Sequence, residues 1–338
     1  MYYTGIDLHK KTSFFTTVDK TGKVVARKNL LNDEKIILDY FGTLEQQSRV
    51  VIESTASWYW LYDLLEAHGF DVVISNPLKT KAIASAKIKN DRVDSHMLAQ
   101  LLRADLIPTV YVSPLELREL KELIRHRQRL VSDAKRMKNR IHALLRKNNQ
   151  VVPFSDVFGV RGLQYLEQVQ LPQYHRDQLH TYLSMYQKLV EEIKPLTQTL
   201  NGLATDKPIA KLLMSIPGIG PIVAMTIFAE VGDISRFPSY RNLASYAGLV
   251  SCLDASGGKY RMGSITKRGS RYLRTALVES AHAIARIKNC RLTLFFRRRI
   301  VRGGYKKAIV ATEHKVLKIV YYVWKNRIPY QETYPVCA

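Results

Sequence analysis

Tyr2-Tyr3-Thr4-Gly5-Ile6-Asp7-Leu8 stands at the start of the chain. The run alternates and favours β structure, so it reads as a strand with an acid near its end. Phe14–Val18 and Val24–Leu30 read as two more strands, and Thr21-Gly22-Lys23 between them is a hairpin signal. Asn32–Leu44 is helical in pattern. Val50-Val51-Ile52 is a short apolar run of the kind found in buried central strands, and it ends at Glu53. A helix over Trp58–His68 and a strand over Asp71–Ser75 follow, closed by Asn76-Pro77. Strands followed by helices predict an α/β domain with a mixed sheet.

Asn90-Asp91-Arg92-Val93-Asp94-Ser95-His96-Met97-Leu98-Ala99 reads as the start of a helix to about Asp105, with Asn90 as N-cap. Asp91 and Asp94 are three residues apart and share one helix face. Carboxylates that close either raise each other's pKa or share a cation. Oxygen ligands without Cys or paired His suit Mg²⁺. Taken alone, the same pair is also satisfied by the positive end of the helix dipole. Asp7 and Glu53 each end an apolar strand, where ligands gather in α/β sheets. Each has an ordinary reading as well, Asp7 as a strand-end turn residue and Glu53 as a residue ahead of a helix. A buried carboxylate costs free energy unless paired or bound to a cation. Asp7, Glu53, Asp91 and Asp94 therefore form a candidate metal cluster, a type of site that can stabilise both oxygens of a reacting phosphodiester.

The charge points the same way. Fifty-two Lys and Arg face 29 Asp and Glu over 338 residues, a net +23. Such an excess suits a polyanion, nucleic acid first. An anionic membrane surface is the other candidate, but no long amphipathic anchor accompanies it. No apolar run reaches the roughly 18 residues of a membrane span. No signal peptide is expected from Met1–Asp7. Cys252, Cys290 and Cys337 form neither a CxxC pair nor a disulfide framework, as expected for a reducing cytoplasm.

Ser113-Pro114-Leu115-Glu116 predicts a helix start, with Ser113 as N-cap and Glu116 as its capping-box partner. The helix runs to about Lys147 with an apolar stripe of Leu117, Leu120, Ile124, Val131, Ala134, Ile141 and Leu144. Pro114–Gln150 holds eleven Lys or Arg against four acids, and Arg125, Arg129, Arg136 and Arg140 are candidate phosphate contacts. Residues from Asn148 to Gly162 read as a loop. Tyr174–Leu200 reads as a second long helix, with Tyr182, Met185, Leu189, Ile193 and Leu196 along one side. An antiparallel pair follows, either as a structural spacer or as a dimerisation arm.

Leu212–Pro221 looks like the turn of a helix-hairpin-helix, in which Gly218 and Gly220 would let backbone approach a phosphate. Asn242–Leu249 is a small-residue helix. Asp254-Ala255-Ser256-Gly257-Gly258-Lys259-Tyr260-Arg261-Met262-Gly263 reads as a flexible Gly-rich loop. Fifteen Lys or Arg and one acid, Glu279, lie between Lys259 and Lys307, with Tyr260, Tyr272, Phe295, Phe296 and Tyr305 interleaved. Cations neutralise phosphates and aromatics can stack on bases. Lys259, Arg261, Lys267, Arg268, Arg271 and Arg274 are the candidate contacts here. Val310–Trp324 reads as a closing core helix. The expected division is 1–110, 111–205 and 206–338.

Gly5-Ile6-Asp7, Glu53-Ser54-Thr55 and Asn90-Asp91-Arg92-Val93-Asp94 resemble the RuvC-like (RNase H-like) domain of the DEDD transposases, the insertion-sequence "one-ten" family that also holds the pilin-gene DNA invertases. That family usually has Ala where this chain has Ser95. Tyr246-Ala247-Gly248-Leu249, the Ser256-Gly257 loop and Thr266–Arg274 are similar to the family's second domain, where a Ser-Gly carries the nucleophile. The matching residue is Ser256, preceded by Ala255 where the family often has Glu; Ser251 and Ser264 are its nearest rivals. The resemblance implies a DNA recombinase that moves an insertion sequence, with Ser256 attacking DNA and the four carboxylates holding Mg²⁺. It implies a coiled-coil arm joining protomers, dimers pairing into a tetramer, a mostly helical C-terminal domain and a structured guide RNA. It places the protein in the bacterial cytoplasm at the nucleoid. Two other classes stay open: a RuvC-like nuclease or resolvase using water, with Ser256 idle, and a nucleic-acid-binding protein without catalysis. The presence of all four acids weighs against the last.

Overall fold

The computed structural model describes residues 1–54, 58–84, 90–256, 259–288 and 290–332, with side chains at 253–260 and 262 excluded. The chain divides into two compact units, Met1–Val112 and Ser113–Ala338.

In the first unit, β1 (Tyr2–Leu8), β2 (Thr12–Val18) and β3 (Val24–Leu31) form an antiparallel meander. Then come α1 (Glu34–Gly42), β4 (Ser48–Glu53), α2 (Tyr59–Ala67), β5 (Val72–Ser75), α3 (Pro77–Ile83) and α4 (Asp91–Arg103). The sheet order is β3-β2-β1-β4-β5, with β4 parallel to both β1 and β5. It is the mixed sheet that the alternating strands and helices predict. Thr55 of the Glu53-Ser54-Thr55 motif lies outside the described residues.

Alternation along the strands sorts the two faces. Ile6, Leu8, Phe15, Val50 and Ile52 pack with Ile37, Tyr40 and Phe41 of α1 and with Leu61 and Leu65 of α2. Thr4, Thr17, Ser48 and the Tyr40 hydroxyl form a buried hydrogen-bonded chain on that side, with links of 2.6–2.7 Å. Such groups are tolerated in a core because each finds a partner. On the opposite face Tyr3, Val51 and Val73 pack with Leu98 and Leu102 of α4.

The approach of α4 to β1 is very close. A Cβ on Gly5 would lie 2.1 Å from the Ser95 carbonyl oxygen and 2.6 Å from the Ala99 nitrogen. Ser95 is fully buried, and its hydroxyl is hydrogen-bonded to that of Thr16 at 2.8 Å. The extra oxygen of Ser95 is thus accommodated by the neighbouring strand.

The second unit contains α5 (Leu115–Lys147), α6 (Val160–Gln168), α7 (Gln173–Asp206), α8 (Pro208–Met214), α9 (Pro221–Val231), α10 (Tyr240–Tyr246), β6 (Ser251–Ser256), β7 (Lys259–Ile265), α11 (Arg271–Arg286) and α12 (Arg291–Asn326). α5 and α7 pair in antiparallel fashion. Ile141 and Leu145 meet Leu179 and Leu183 at one end, Met137 meets Tyr186 in the middle, and Leu120 and Ile124 join Leu200 and Ala204 at the other. The strict heptad stripe is not kept: Val131 and Met185 are exposed, while Tyr186 is buried in place of Met185. The core around α9 takes in Leu273, Leu277, Leu317, Val320 and Trp324, so Val310–Trp324 does close the unit. α12 breaks at Gly304, with φ 77° and ψ 170°, which a residue with a Cβ rarely adopts.

Three local expectations are corrected. Ser113 does not cap α5: the cap position is Pro114, without a side-chain cap, and the Ser113 hydroxyl accepts a hydrogen bond from Lys121 Nζ. The loop predicted to run to Gly162 already turns helical at Val160. The segment read as a Gly-rich loop is an antiparallel ladder, with Ser256 opposite Lys259 and Asp254 opposite Arg261. Alternation on both sides outweighs the glycines, and a Gly-Gly pair between alternating runs is itself a hairpin signal. Gly257 and Gly258 lie outside the described residues.

Gly5→Ala should destabilise the first unit by about 2–3 kcal/mol, because the added methyl meets backbone that has no room to move. Chemical denaturation followed through the unit's own transition measures this. A loss under about 0.5 kcal/mol, the size of an ordinary surface change, would show that α4 is not held as described.

Candidate metal centre and cationic surface

The site is built by register. β1 and β4 run parallel with Gly5 opposite Val51 and Ile6 opposite Ile52. The next residues along are Asp7 and Glu53, side by side at the carboxyl ends of neighbouring strands. Both lie on the face covered by α4, because Tyr3, Gly5 and Asp7 alternate with the core residues Ile6 and Leu8. The start of α4 is held by Asn90, whose side chain accepts a hydrogen bond from the Val93 N–H at 2.8 Å. Asp91 and Asp94 sit in its first turn, and the close packing at Gly5 sets that turn above the strand ends.

Asp7 is 8% exposed. Its pKa rises from 3.8 to about 6, chiefly through desolvation; Asp91, Asp94 and Glu53 add to the rise and His9 opposes it. All three other acids therefore lie within electrostatic range of Asp7, and each makes its ionisation harder. His9 completes the group. Its Nε2 is 3.4 Å from Asp7 Oδ2 and 3.2 Å from Asp91 Oδ2. Asp7, His9 and Asp91 each offer one donor atom, and these atoms lie within 4.8 Å of one another. Sequence reasoning missed His9. The usable signal was its place two residues after Asp7, which repeats the strand's period.

The predicted phosphate contacts divide into two sets. The Arg125 guanidinium grips the buried Glu230 carboxylate with two hydrogen bonds of 3.0 and 3.2 Å and lies over the Tyr272 ring. Burial works to lower its pKa, and Glu230 outweighs that and raises it. Arg274 donates to the carbonyls of Ala247 and Gly269. Gly218 has φ +81°, and a Cβ there would lie 2.7 Å from Ser280 O on α11, so the fold itself requires glycine at this turn. By contrast, Gly220 opens on free space at the start of α9. Arg129, Arg136, Arg140, Arg261, Lys267, Arg268 and Arg271 are exposed. Arg129 and Arg136 hold Glu122 and Asp133 loosely at the surface, and Arg140 lies over the Tyr182 ring. Ser256 and Lys259 are placed by their backbones as opposed strand residues, and the rivals Ser251 and Ser264 are exposed.

A family model of the IS110-type DEDD transposase domain, described as a transposase, matches residues 4–149. A second, described as "Transposase IS116/IS110/IS902 family", matches residues 210–295. The chain belongs to the IS110 family of transposases. The first match contains all four carboxylates and the second contains Ser256. Relatives align along the length of the chain. The transposase for insertion sequence element IS1111A of Coxiella burnetii is 26% identical, over 98% of this chain and 90% of its own length. A probable family 20 transposase of Pseudomonas aeruginosa is 27% identical over 83% of each chain. The transposase for insertion sequence element IS1328 of Yersinia enterocolitica is 27% identical over 82% of each. No helix among the described residues is long and apolar enough to cross a membrane.

A DEDD-type domain in this family points to a divalent metal, and the donor set fits one. Asp7, His9 and Asp91 offer donor atoms within 4.8 Å of one another, and Asp94 and Glu53 add to the electrostatic cost of ionising the buried Asp7. The titration of Asp7 sets a sign. Between 3.8 and about 6 the folded metal-free chain keeps a proton that the unfolded chain has lost. Stability of the first unit therefore falls as pH rises through that window. Metal must displace the same proton, so the rise in melting temperature produced by added Mg²⁺ or Mn²⁺ should grow as pH rises to about 6 and level off above it. Thermal denaturation with and without metal from about pH 5 to about pH 7.5 reads this. A shift independent of pH would remove Asp7 from the ligand set.

Arg125→Ala should cost about 3–5 kcal/mol of stability, because the buried Glu230 carboxylate loses both hydrogen bonds from Arg125. The exposed Arg136→Ala should change stability by less than about 0.5 kcal/mol. Denaturation of the two variants side by side checks the contrast.

Proposed function

We propose that this chain is an insertion-sequence transposase that cuts and rejoins DNA through Ser256, assisted by Mg²⁺ held by Asp7, Glu53, Asp91 and Asp94. The observation that supports the reading is the grouping of Asp7, His9 and Asp91, with Asp94 and Glu53 in electrostatic range of Asp7, in a domain matched by the family model. In this scheme the Ser256 Oγ–phosphorus bond forms as a bridging phosphorus–oxygen bond of the DNA breaks. The serine proton leaves and the released deoxyribose oxygen gains one. Attack by a DNA hydroxyl on the phosphoserine link then restores the serine and joins strands. A divalent ion at the carboxylates supplies positive charge for the phosphate in transit. The four acids orient that charge, and the desolvation around Asp7 strengthens it.

The exposed cations supply the rest of the reading. Arg129, Arg136 and Arg140 on α5, and Arg261, Lys267, Arg268 and Arg271 around β7 and α11, are assigned to DNA or RNA phosphates, together with Lys259 and the open backbone at Gly220. Arg125, Arg274 and Gly218 are assigned to shaping that surface. Residues 1–110 act as the metal-binding domain, 111–205 as a coiled-coil arm joining protomers into a dimer and then a tetramer, and 206–338 as the serine-bearing domain. The family resemblance supports a structured guide RNA, for which a charge of +23 leaves ample capacity. Action on chromosomal DNA places the protein in the cytoplasm at the nucleoid.

The test is a trapping assay with element-end DNA, Mg²⁺ and RNA recovered from the protein's own host. Wild-type protein should yield a covalent protein–DNA adduct, Ser256→Ala should abolish it, and Asp91→Ala should reduce it at least 100-fold, the loss expected when transition-state charge goes unstabilised. Cleavage without an adduct, unchanged in Ser256→Ala and lost in Asp91→Ala, would instead establish a water-using RuvC-like nuclease.

A further inference from the structure

His9 stands in the acidic centre without belonging to the four-carboxylate motif. We propose that His9 supplies a nitrogen donor to the divalent ion held by Asp7 and Asp91, giving the centre a preference for Mn²⁺ over Mg²⁺ that an all-carboxylate centre lacks. The inference rests on the metal reading of the same site.

Distance is the first argument. Neighbouring ligands around an octahedral ion with bonds of about 2.1 Å stand about 3.0 Å apart. His9 Nε2 lies 3.4 Å from Asp7 Oδ2 and 3.2 Å from Asp91 Oδ2, close to the edges of such an octahedron. A contraction of a few tenths of an ångström brings His9 to octahedral spacing from each carboxylate, and all three donor atoms already lie within 4.8 Å of one another.

Placement is the second argument. His9 sits in the short turn between β1 and β2, and its backbone is held on both sides. Its N–H donates to the Thr12 carbonyl at 3.1 Å, and its carbonyl accepts from Asn32 Nδ2 at 2.8 Å. Asn32 is in turn fixed by the Ser13 hydroxyl at 2.6 Å and by its own N–H to the Lys11 carbonyl at 2.9 Å. The imidazole is thus carried by a braced turn, as a preorganised ligand requires. Its side chain is also 48% exposed, so an ion can be reached from solvent without unpacking the core.

Chemistry supplies the preference. Carboxylate oxygens suit Mg²⁺ and Mn²⁺ alike, whereas imidazole nitrogen favours the transition ions. One nitrogen in an otherwise oxygen-donor set therefore adds affinity for Mn²⁺ and little for Mg²⁺.

The full-length protein can be tested without DNA. Mn²⁺ bound to wild type should show ¹⁴N modulation in electron spin-echo spectra, and calorimetry should show tighter binding of Mn²⁺ than of Mg²⁺. His9→Ala should remove the modulation and weaken Mn²⁺ binding roughly tenfold while changing Mg²⁺ binding far less. His9→Gln, which keeps a polar side chain in the turn, should also lose the modulation while retaining Mg²⁺. If Mn²⁺ binds and is lost in Asp91→Ala, yet wild type shows no nitrogen modulation, His9 is a counter-ion and the proposal fails. Equal weakening of both ions in His9→Ala overturns it as well. Failure of wild type to bind Mn²⁺, or binding unchanged in Asp7→Asn and Asp91→Ala, would overturn the metal reading itself and this inference with it.

Discussion

The contact of the α4 backbone with β1 at Gly5 is the constraint on which the candidate centre depends. A glycine there lets the Ser95–Ala99 turn lie directly on the strand. The helix start then falls above the strand ends, which brings Asp91 of the helix into one group with Asp7 and His9. A side chain at residue 5 would lift the helix and with it Asp91 and Asp94. The same contact explains why Ser95 is harmless: its hydroxyl faces Thr16 rather than hydrocarbon. On the other face of the sheet, the aromatic core with Tyr40 and the Thr4–Thr17–Ser48 chain holds the strands in register. A parallel register error of one residue would turn either Asp7 or Glu53 away from α4.

Electrostatics make this arrangement incomplete by itself. Burial and three neighbouring acids all work against the charge on Asp7, and only His9 eases it. A carboxylate so placed is stabilised by a cation, since Coulomb attraction grows as solvent is excluded. The fold's own interactions therefore favour a cation beside Asp7. His9 reaches both Asp7 and Asp91 from a turn braced by Asn32.

The second unit treats cations differently. Some are structural: Arg125 ties α5 to α9 through Glu230 and rests on Tyr272 of α11, and Arg274 caps carbonyls at the ends of two turns. Others keep their charge in water, where it acts at the range of the Debye length and responds to salt. Net charge alone does not separate the two kinds. Burial of a nearby acid does, since the buried Glu230 carboxylate takes two hydrogen bonds from Arg125.

Local pattern carried much of this through the sequence alone. The alternation from Tyr2 to Leu8, the apolar run ending at Glu53 and the Asn90 cap predicted the strands and the helix start, because period and capping are short-range properties of the chain. The excess of cations likewise needed no fold to be read. What the sequence could not determine depends on which distant surfaces meet. The recruitment of His9, the raised pKa of Asp7, the commitment of Arg125 to Glu230 and the replacement of Met185 by Tyr186 in the helix pair all arise from contacts between remote segments. The Ser256 segment shows the boundary between the two kinds of information. Its residues alternate like strands but carry glycines like a loop, and it was the pairing of Ser251–Ser256 with Lys259–Ile265 that decided between them, because a ladder satisfies backbone groups that neither segment satisfies alone.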